Sequence, residues 1–119
     1  LYGIKDSSGK AENFLKLKER YGEKLKIFVG AEELNYFGLK NGADGLVPSL
    51  ANPFPKVLAA AWKASREGDW EACKKHCDLA LAQMGIMSAA FTKPYIPVSE
   101  DDKKKIAEWI SYYKTNYGE

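Results

Sequence analysis

Leu1-Tyr2-Gly3-Ile4-Lys5-Asp6-Ser7-Ser8-Gly9 is the stretch that decides the fold. Its first five residues are an apolar run carrying one lysine and read as a short buried strand. Asp6 to Gly9 is a cluster of turn formers that can also start a helix. Residues 11–21 then have helical character, with Phe14, Leu15 and Leu17 apolar and Lys or Glu between them, and Gly22 is the expected stop. Leu25-Lys26-Ile27-Phe28-Val29 is a second strand that ends at Gly30. Residues 32–40 form a short helix followed by Asn41-Gly42, and residues 45–47 form a third, very short strand. Strands that alternate with helices in this way run parallel and are joined by right-handed crossovers. Three such strands by themselves leave two open edges and one uncovered sheet face.

Helices dominate the rest. Asn52 is a good N-cap with Pro53 at the first helical position, which predicts a helix from there to about Glu67, ended by Gly68. Asp69 caps the next helix, expected to run to about Met84, and residues 85–96 read as irregular. Ser99 with Asp102 three residues on resembles a capping box. The last helix places Ile106, Trp109, Ile110, Tyr113 and Tyr117 on one stripe. A complete (β/α)8 barrel needs roughly 250 residues, so three βα units fit a portion of one. The apolar opening, with no initiator Met and no signal-peptide layout, reads as the inside of a strand. It predicts that the chain is the later part of a longer protein.

The 119 residues suffice for one domain with one core, expected to span residues 1–119 with C-terminal helices from about 69. Hydrophobic residues at 45% and charged residues at 29% argue for a globular chain and against disorder. A net charge of +2 lacks the basic surplus that nucleic-acid or membrane-surface binding needs. Apolar runs are short and broken by charges, which excludes a transmembrane helix. Two cysteines make no disulfide framework and predict a reducing, cytoplasmic setting.

Lys5 is the first residue that could carry chemistry. It sits at the end of the first strand, and active sites of parallel α/β sheets and barrels form at that end. Alternation puts Leu1, Gly3 and Lys5 on one side, and Tyr2 and Ile4 on the other. Enclosure of a lysine in a barrel mouth disfavours its charged form and supplies a neutral amine, which can attack a ketone to form a Schiff base. The other reading is a strand-end lysine that reaches solvent or pairs with Asp6. Glu32 and Glu33 follow Gly30 at a helix start, where they either compensate the helix dipole or hydrogen-bond substrate hydroxyls. Ser49 follows the third strand on the same rim, so polar groups stand at all three strand ends. A phosphate-loop reading of residues 3–10 fails. Five residues rather than four separate Gly3 from Gly9, and Ala11 replaces the Ser or Thr that would bind magnesium. Cys73, His76 and Cys77 share a helix, the two thiols on one face with His76 adjacent, yet a metal would need a fourth ligand from elsewhere, so two part-buried thiols beside a surface histidine is the plainer reading. Trp62, Trp70 and Trp109 lie on helices and are expected to pack against the sheet or a neighbour.

Four segments in order resemble the dihydrodipicolinate synthase / N-acetylneuraminate lyase family. Tyr2-Gly3-Ile4-Lys5-Asp6-Ser7-Ser8-Gly9 is similar to its G-[IV]-K-[DE]-[SA]-[ST]-G segment. Phe28-Val29-Gly30-Ala31-Glu32-Glu33 resembles its S-G-x-[DE]-[DE] step. Gly42-Ala43-Asp44-Gly45-Leu46-Val47-Pro48-Ser49-Leu50-Ala51-Asn52 resembles G-A-D-G-x-[IV]-S-x-x-x-N. Thr92-Lys93-Pro94-Tyr95-Ile96-Pro97-Val98-Ser99 resembles R-P-P-x-x-P-[LV]-[ST].

The resemblance implies an α/β fold: strands six to eight and the following helices of a (β/α)8 TIM barrel. It implies a class I, Schiff-base aldolase, lyase or synthase that takes pyruvate or another 2-keto acid and an aldehyde, uses no metal or organic cofactor, and assembles as a homo-oligomer, dimer or tetramer. Lys5 then matches the Schiff-base lysine. Gly30 matches the substrate-contacting glycine after the seventh strand, and Val47 the eighth-strand residue whose carbonyl lies near the lysine amine. Glu32, Glu33 and Ser49 align with positions that bind polyhydroxylated substrate in the neuraminate-lyase branch, with Glu32 standing where Asp is more usual. The family's G-T-T-G-E-type carboxylate loop and Y-N-x-P tyrosine belong to earlier strands and are absent from these residues. The stretch 71–93 is shorter than the family's usual eighth helix with its succeeding helices. Two readings of different class therefore stand: the lysine-bearing part of a pyruvate aldolase, and a non-catalytic half-barrel that serves as an assembly or folding module.

Overall fold

The computed structural model describes residues 1–91 and 100–117. The segment from Thr92 to Ser99, with its proline-rich motif and Ser99 of the expected capping box, lies outside the described residues. Elements follow in the order β1 (Gly3–Asp6), α1 (Ala11–Tyr21), β2 (Lys26–Val29), a 3-10 turn (Glu32–Leu34), α2 (Asn35–Lys40), β3 (Gly45–Leu46), a second 3-10 turn (Ser49–Ala51), α3 (Pro55–Glu67), α4 (Trp70–Phe91) and α5 (Glu100–Tyr117). The chain divides into two compact units, Leu1–Ala80 and Leu81–Glu119.

In the first unit the three strands form one parallel sheet in the order β1-β2-β3. Lys5 pairs with Phe28 and Phe28 with Gly45; Asp6 pairs with Val29 and Val29 with Leu46. The period of two then sorts the sheet into faces. Ile27 and Val29, at 0% and 1% exposure, point into a core with Phe14 of α1, Leu39 of α2, Ala61 and Ala64 of α3, and Cys73 and Cys77 of α4. Ile4 and Leu46 pack against the same cluster. Every helix of this unit thus covers one face. The other face carries Gly3, Lys5, Phe28 and Gly45, and no helix of the unit packs on it.

Two expectations from sequence are corrected. The helix after β3 begins at Pro55, not Pro53, and Asn52 does not cap it. Phe54 precedes a proline, which disfavours helical dihedrals, and it sits at φ −132°, ψ 55°. Asn52 instead closes the Ser49–Ala51 turn, its side-chain amide donating to the Ser49 carbonyl at 3.2 Å. The helix from Trp70 continues to Phe91, through residues expected to be irregular. A single internal glycine such as Gly85 costs only about 1 kcal/mol, and its neighbours Met84, Ile86 and Met87 favour or tolerate helix. Gly68 ends α3 with φ 78° as expected, and the Asp69 carboxylate accepts the Ala72 N–H at 3.0 Å.

Cys73 and Cys77 are fully buried core residues. Burial, followed by the neighbouring Cys73, pushes the Cys77 thiol up to about 12, and burial raises Cys73 as well. Trp70 is partly buried against the core with Lys40 5.2 Å from its ring centre, but Trp62 is 42% exposed with Arg66 over it. In the second unit α5 sets Trp109 edge-on to Tyr112 and stacks Tyr113 on Tyr117, while Ile110 of the expected stripe is 48% exposed. Among the described residues no helix is long and apolar enough to cross a membrane.

Candidate active site at the strand ends

Lys5 ends the face on which no helix of the first unit packs. Its side chain is exposed, so the enclosure expected of a barrel mouth is not supplied by the described residues. It does not pair with Asp6. That carboxylate points to the other face, where Oδ1 accepts the Ser8 N–H at 2.9 Å and Oδ2 is buried. The Lys5 stem crosses instead over Gly30, the residue directly after β2. A Cβ at Gly30 would collide with Ser7 Oγ and with Lys5 Cε, and would lie 2.9 Å from Lys5 Cγ. Glycine lets the lysine and the serine share that space without displacement. The Gly30 N–H donates to the Asp6 carbonyl at 2.8 Å, which holds this contact at the end of the β1–β2 ladder.

The two adjacent glutamates diverge. Glu32 is 8% exposed and turns toward the loop after β3. Its Oε1 accepts the Ser49 hydroxyl and the Leu50 N–H, the latter at 3.2 Å. Burial by itself would raise the Glu32 carboxyl, but the hydrogen bonds from Ser49 and the nearby backbone outweigh it and hold the group below its usual range. Glu33 is exposed and turns the other way, its Oε1 lying 2.8 Å from where a Cβ of Gly9 would stand, in the β1–α1 turn. Gly9 has φ +67° there. The loop after β2 is thereby tied to the loop after β3 by Glu32 and meets the loop after β1 through Glu33. Val47 continues the alternation on the Lys5 side, 44% exposed, with its N–H donating to the Val29 carbonyl at 2.7 Å.

Lys5, Gly30, Glu32, Glu33, Val47 and Ser49 thus all stand at the C-terminal ends of the three strands or in the loops after them. Two further residues join them, Ser7 and Phe28. Period-two alternation marks both, since Ser7 lies two residues beyond Lys5 and Phe28 is its registered neighbour. The opposite end of the sheet carries a different cluster. Asp44 Oδ2 accepts the Ile27 N–H at 2.9 Å, and its carboxylate meets Lys26 at 3.0 Å and Lys18 at 3.4 Å. Burial there would raise the Asp44 carboxyl, but the Ile27 N–H and the two lysines outweigh it and lower it. This cluster fastens the start of β3 to β2 and lies away from the rim.

Comparison with known proteins bears on the family and the fold. A "DapA-like lyase" of Chloroflexus aurantiacus, itself uncharacterised, is 39% identical over 67 residues, covering 56% of this chain and 22% of its own. The 4-hydroxy-tetrahydrodipicolinate synthase of Sorangium cellulosum is 29% identical over 124 residues, covering 88% of this chain and 41% of its own. Among solved structures, dihydrodipicolinate synthase from Aquifex aeolicus superposes with a TM-score of 0.69 at 17% identity, over 96% of this chain and 45% of its own. A 2-keto-3-deoxygluconate aldolase variant of Sulfolobus solfataricus, in complex with L-2-keto, 3-deoxy-galactonate, superposes at 0.68 and 15% identity, over 97% of this chain and 46% of its own. At such identities the structures speak for the fold alone, and the chain spans less than half the length of each of these relatives. The sequence model of the dihydrodipicolinate synthetase family covers residues 1–79, the stretch that holds the three strands, Lys5 and the laced rim; the chain belongs to that family.

Proposed function

We propose that this chain is the lysine-bearing, C-terminal part of a pyruvate-dependent Schiff-base aldolase, lyase or synthase. In this reading β1 to β3 are barrel strands six to eight, and residues 1–119 belong to one barrel domain that includes the helices from about 69. The observation that carries it is the place of Lys5: on the face of the parallel sheet opposite the helices of its own unit, at the C-terminal end, with its stem against Gly30. The Lys5 amine attacks C2 of pyruvate or another 2-keto acid, and the carbinolamine takes up a proton and loses water to give an iminium ion. C3 then loses a proton, and the electrons of that C–H bond move toward nitrogen. The enamine carbon bonds to the carbonyl carbon of an aldehyde, whose oxygen takes up a proton. Water finally cleaves the iminium, releasing product and restoring the amine; lyases run the sequence backwards.

Glu33 and Val47 sit at the rim of this site. Ser49 donates its hydroxyl hydrogen bond to Glu32 and so can only accept one from a substrate hydroxyl. The carboxylate loop and the proton-relaying tyrosine are contributed by earlier strands, the enzyme works as a dimer or tetramer in the cytoplasm, and the iminium nitrogen takes the part of an organic cofactor. The test is mass spectrometry of the complete protein after pyruvate and borohydride. Lys5 should carry the reduced adduct, and Lys5→Arg should abolish both adduct and turnover with the fold retained, because a guanidinium stays protonated. An adduct on Lys10 or Lys56 with Lys5 unmodified overturns the proposal.

A further inference from the structure

Serine hydroxyls stand at the rim at residues 7, 8 and 49, and two of them are engaged. Ser49 donates to Glu32, and Ser8 Oγ accepts the Lys10 N–H at 3.2 Å. Among the described residues no hydrogen bond engages the Ser7 hydroxyl, and none engages the Lys5 amine. These two free groups lie side by side. The point that a Cβ at Gly30 would occupy collides with both Ser7 Oγ and Lys5 Cε, so hydroxyl and stem border the same small space. The amine nitrogen is one bond beyond Cε. Rotation about the bond from Cδ to Cε swings it along that space, to a hydrogen-bond distance of about 3 Å from Ser7 Oγ. The turn holds the hydroxyl in place. Asp6 Oδ1 accepts the Ser8 N–H at 2.9 Å, and the Asp6 carbonyl accepts the Gly30 N–H at 2.8 Å. Ser7 thus sits between anchored neighbours, preorganised beside the lysine stem.

We propose that Ser7 is a further catalytic residue, a proton relay for the first step at Lys5. This rests on the Schiff-base reading above, and it adds to the tyrosine of that reading a second relay confined to this step. As the Lys5 nitrogen bonds to C2 of the keto acid, the π electrons of the carbonyl move to oxygen. The nitrogen becomes positive and carries two protons, and the oxygen becomes an alkoxide. Both atoms are bonded to C2, so one hydroxyl beside the nitrogen spans them. A serine hydroxyl is donor and acceptor at once. Ser7 Oγ takes a proton from nitrogen as it gives its own to the alkoxide, which leaves a neutral carbinolamine and an unchanged serine. No net proton enters or leaves. The carbinolamine then takes up the separate proton with which it loses water. A relay lowers the barrier without changing the end states, so it speeds imine formation and its reversal equally. A residue that binds the keto acid or the imine shifts their equilibrium instead.

The experiment uses the complete protein, with pyruvate as the probe and quenching into borohydride at successive times, read by intact mass and peptide mapping. Wild type should approach a fixed fraction of Lys5 adduct with a single rate constant. Ser7→Ala should lower that rate constant about 100-fold, within the range of general acid–base contributions, and still reach the wild-type fraction. Ser7→Thr, which keeps the hydroxyl, should recover most of the rate. Ser8→Ala, which removes the neighbouring hydroxyl, is the control and should leave rate and fraction unchanged; an equal slowing there would mean a distorted turn and overturn the relay. A Ser7→Ala rate constant within about twofold of wild type overturns the relay alone, as does a final fraction that falls along with the rate. Wild type that forms no adduct at Lys5 overturns the Schiff-base reading and this inference with it.

Discussion

Replacing Glu32 by alanine separates a rim held together by its own side chains from one whose groups stand free for a ligand. Glu32 is 8% exposed, and one carboxylate oxygen takes both the Ser49 hydroxyl and the N–H of Leu50, a residue itself 3% exposed. Hydrogen bonds to a charged acceptor contribute about 1.5–3 kcal/mol, and a buried N–H left without a partner costs about 1–3 kcal/mol. Because both donors share one oxygen these do not simply add, and Glu32→Ala should destabilise the complete protein by about 2–4 kcal/mol. Glu32→Gln keeps a carbonyl acceptor and should cost about 1 kcal/mol, as should Ser49→Ala, which removes one of the two donors. The double variant should fall short of the sum of the Glu32→Ala and Ser49→Ala losses by at least about 0.5 kcal/mol, the signature of a direct contact. Urea denaturation at constant temperature measures all four. The folded carboxyl lies below its ordinary value of 4.5, so its stabilisation is complete above that pH and disappears as pH falls through the lower folded value. Glu32→Gln should remove that acid-limb dependence. A Glu32→Ala protein within about 0.5 kcal/mol of wild type, or fully additive single losses, would refute the reasoning and leave the carboxylate free to meet a ligand.

Gly30→Ala puts a methyl group where Lys5 Cε and Ser7 Oγ now lie; it should slow pyruvate trapping at Lys5 by about 100-fold, measured as the rate of borohydride-reduced adduct, with the fold retained by circular dichroism. Asp44→Asn should lower stability at neutral pH, because it removes the charge that meets Lys18 and Lys26. The difference from wild type should be complete above about 3.8, the ordinary carboxyl value, and should vanish as pH falls through the lowered folded value, as followed by denaturant titration across that range.

Much of this arrangement is legible in the chain order. The alternation of Leu1-Tyr2-Gly3-Ile4-Lys5, residues 11–21 and Leu25-Lys26-Ile27-Phe28-Val29 dictates parallel strands and places Lys5 at a C-terminal strand end, and α1 has the predicted bounds Ala11–Tyr21. The period of two also assigns Lys5 to the face opposite Ile4, where the structure has it. These features are local: a hydrophobic period and a stop signal are properties of five to ten consecutive residues.

The relations between strand ends are of another kind. Glu32 and Ser49 are 17 residues apart, and nothing in either segment says that one donates to the other. Adjacent glutamates read alike in sequence, yet Glu32 is drawn under the β3 loop and Glu33 over Gly9, because the 3-10 turn after β2 points their side chains to opposite neighbours. Phe28 shows its parity in the sequence but not that Gly3 and Gly45 make room for its ring, which requires the register of three strands at once. That register is set by how the crossover helices pack their small and apolar residues, Phe14, Leu39, Ala61 and Ala64, onto Ile27 and Val29. The chain order alone determined which groups stand at the rim. Which of them touch was decided only by the helix packing that fixes the strands' relative heights, since a shift of one residue would carry every side chain to the other face.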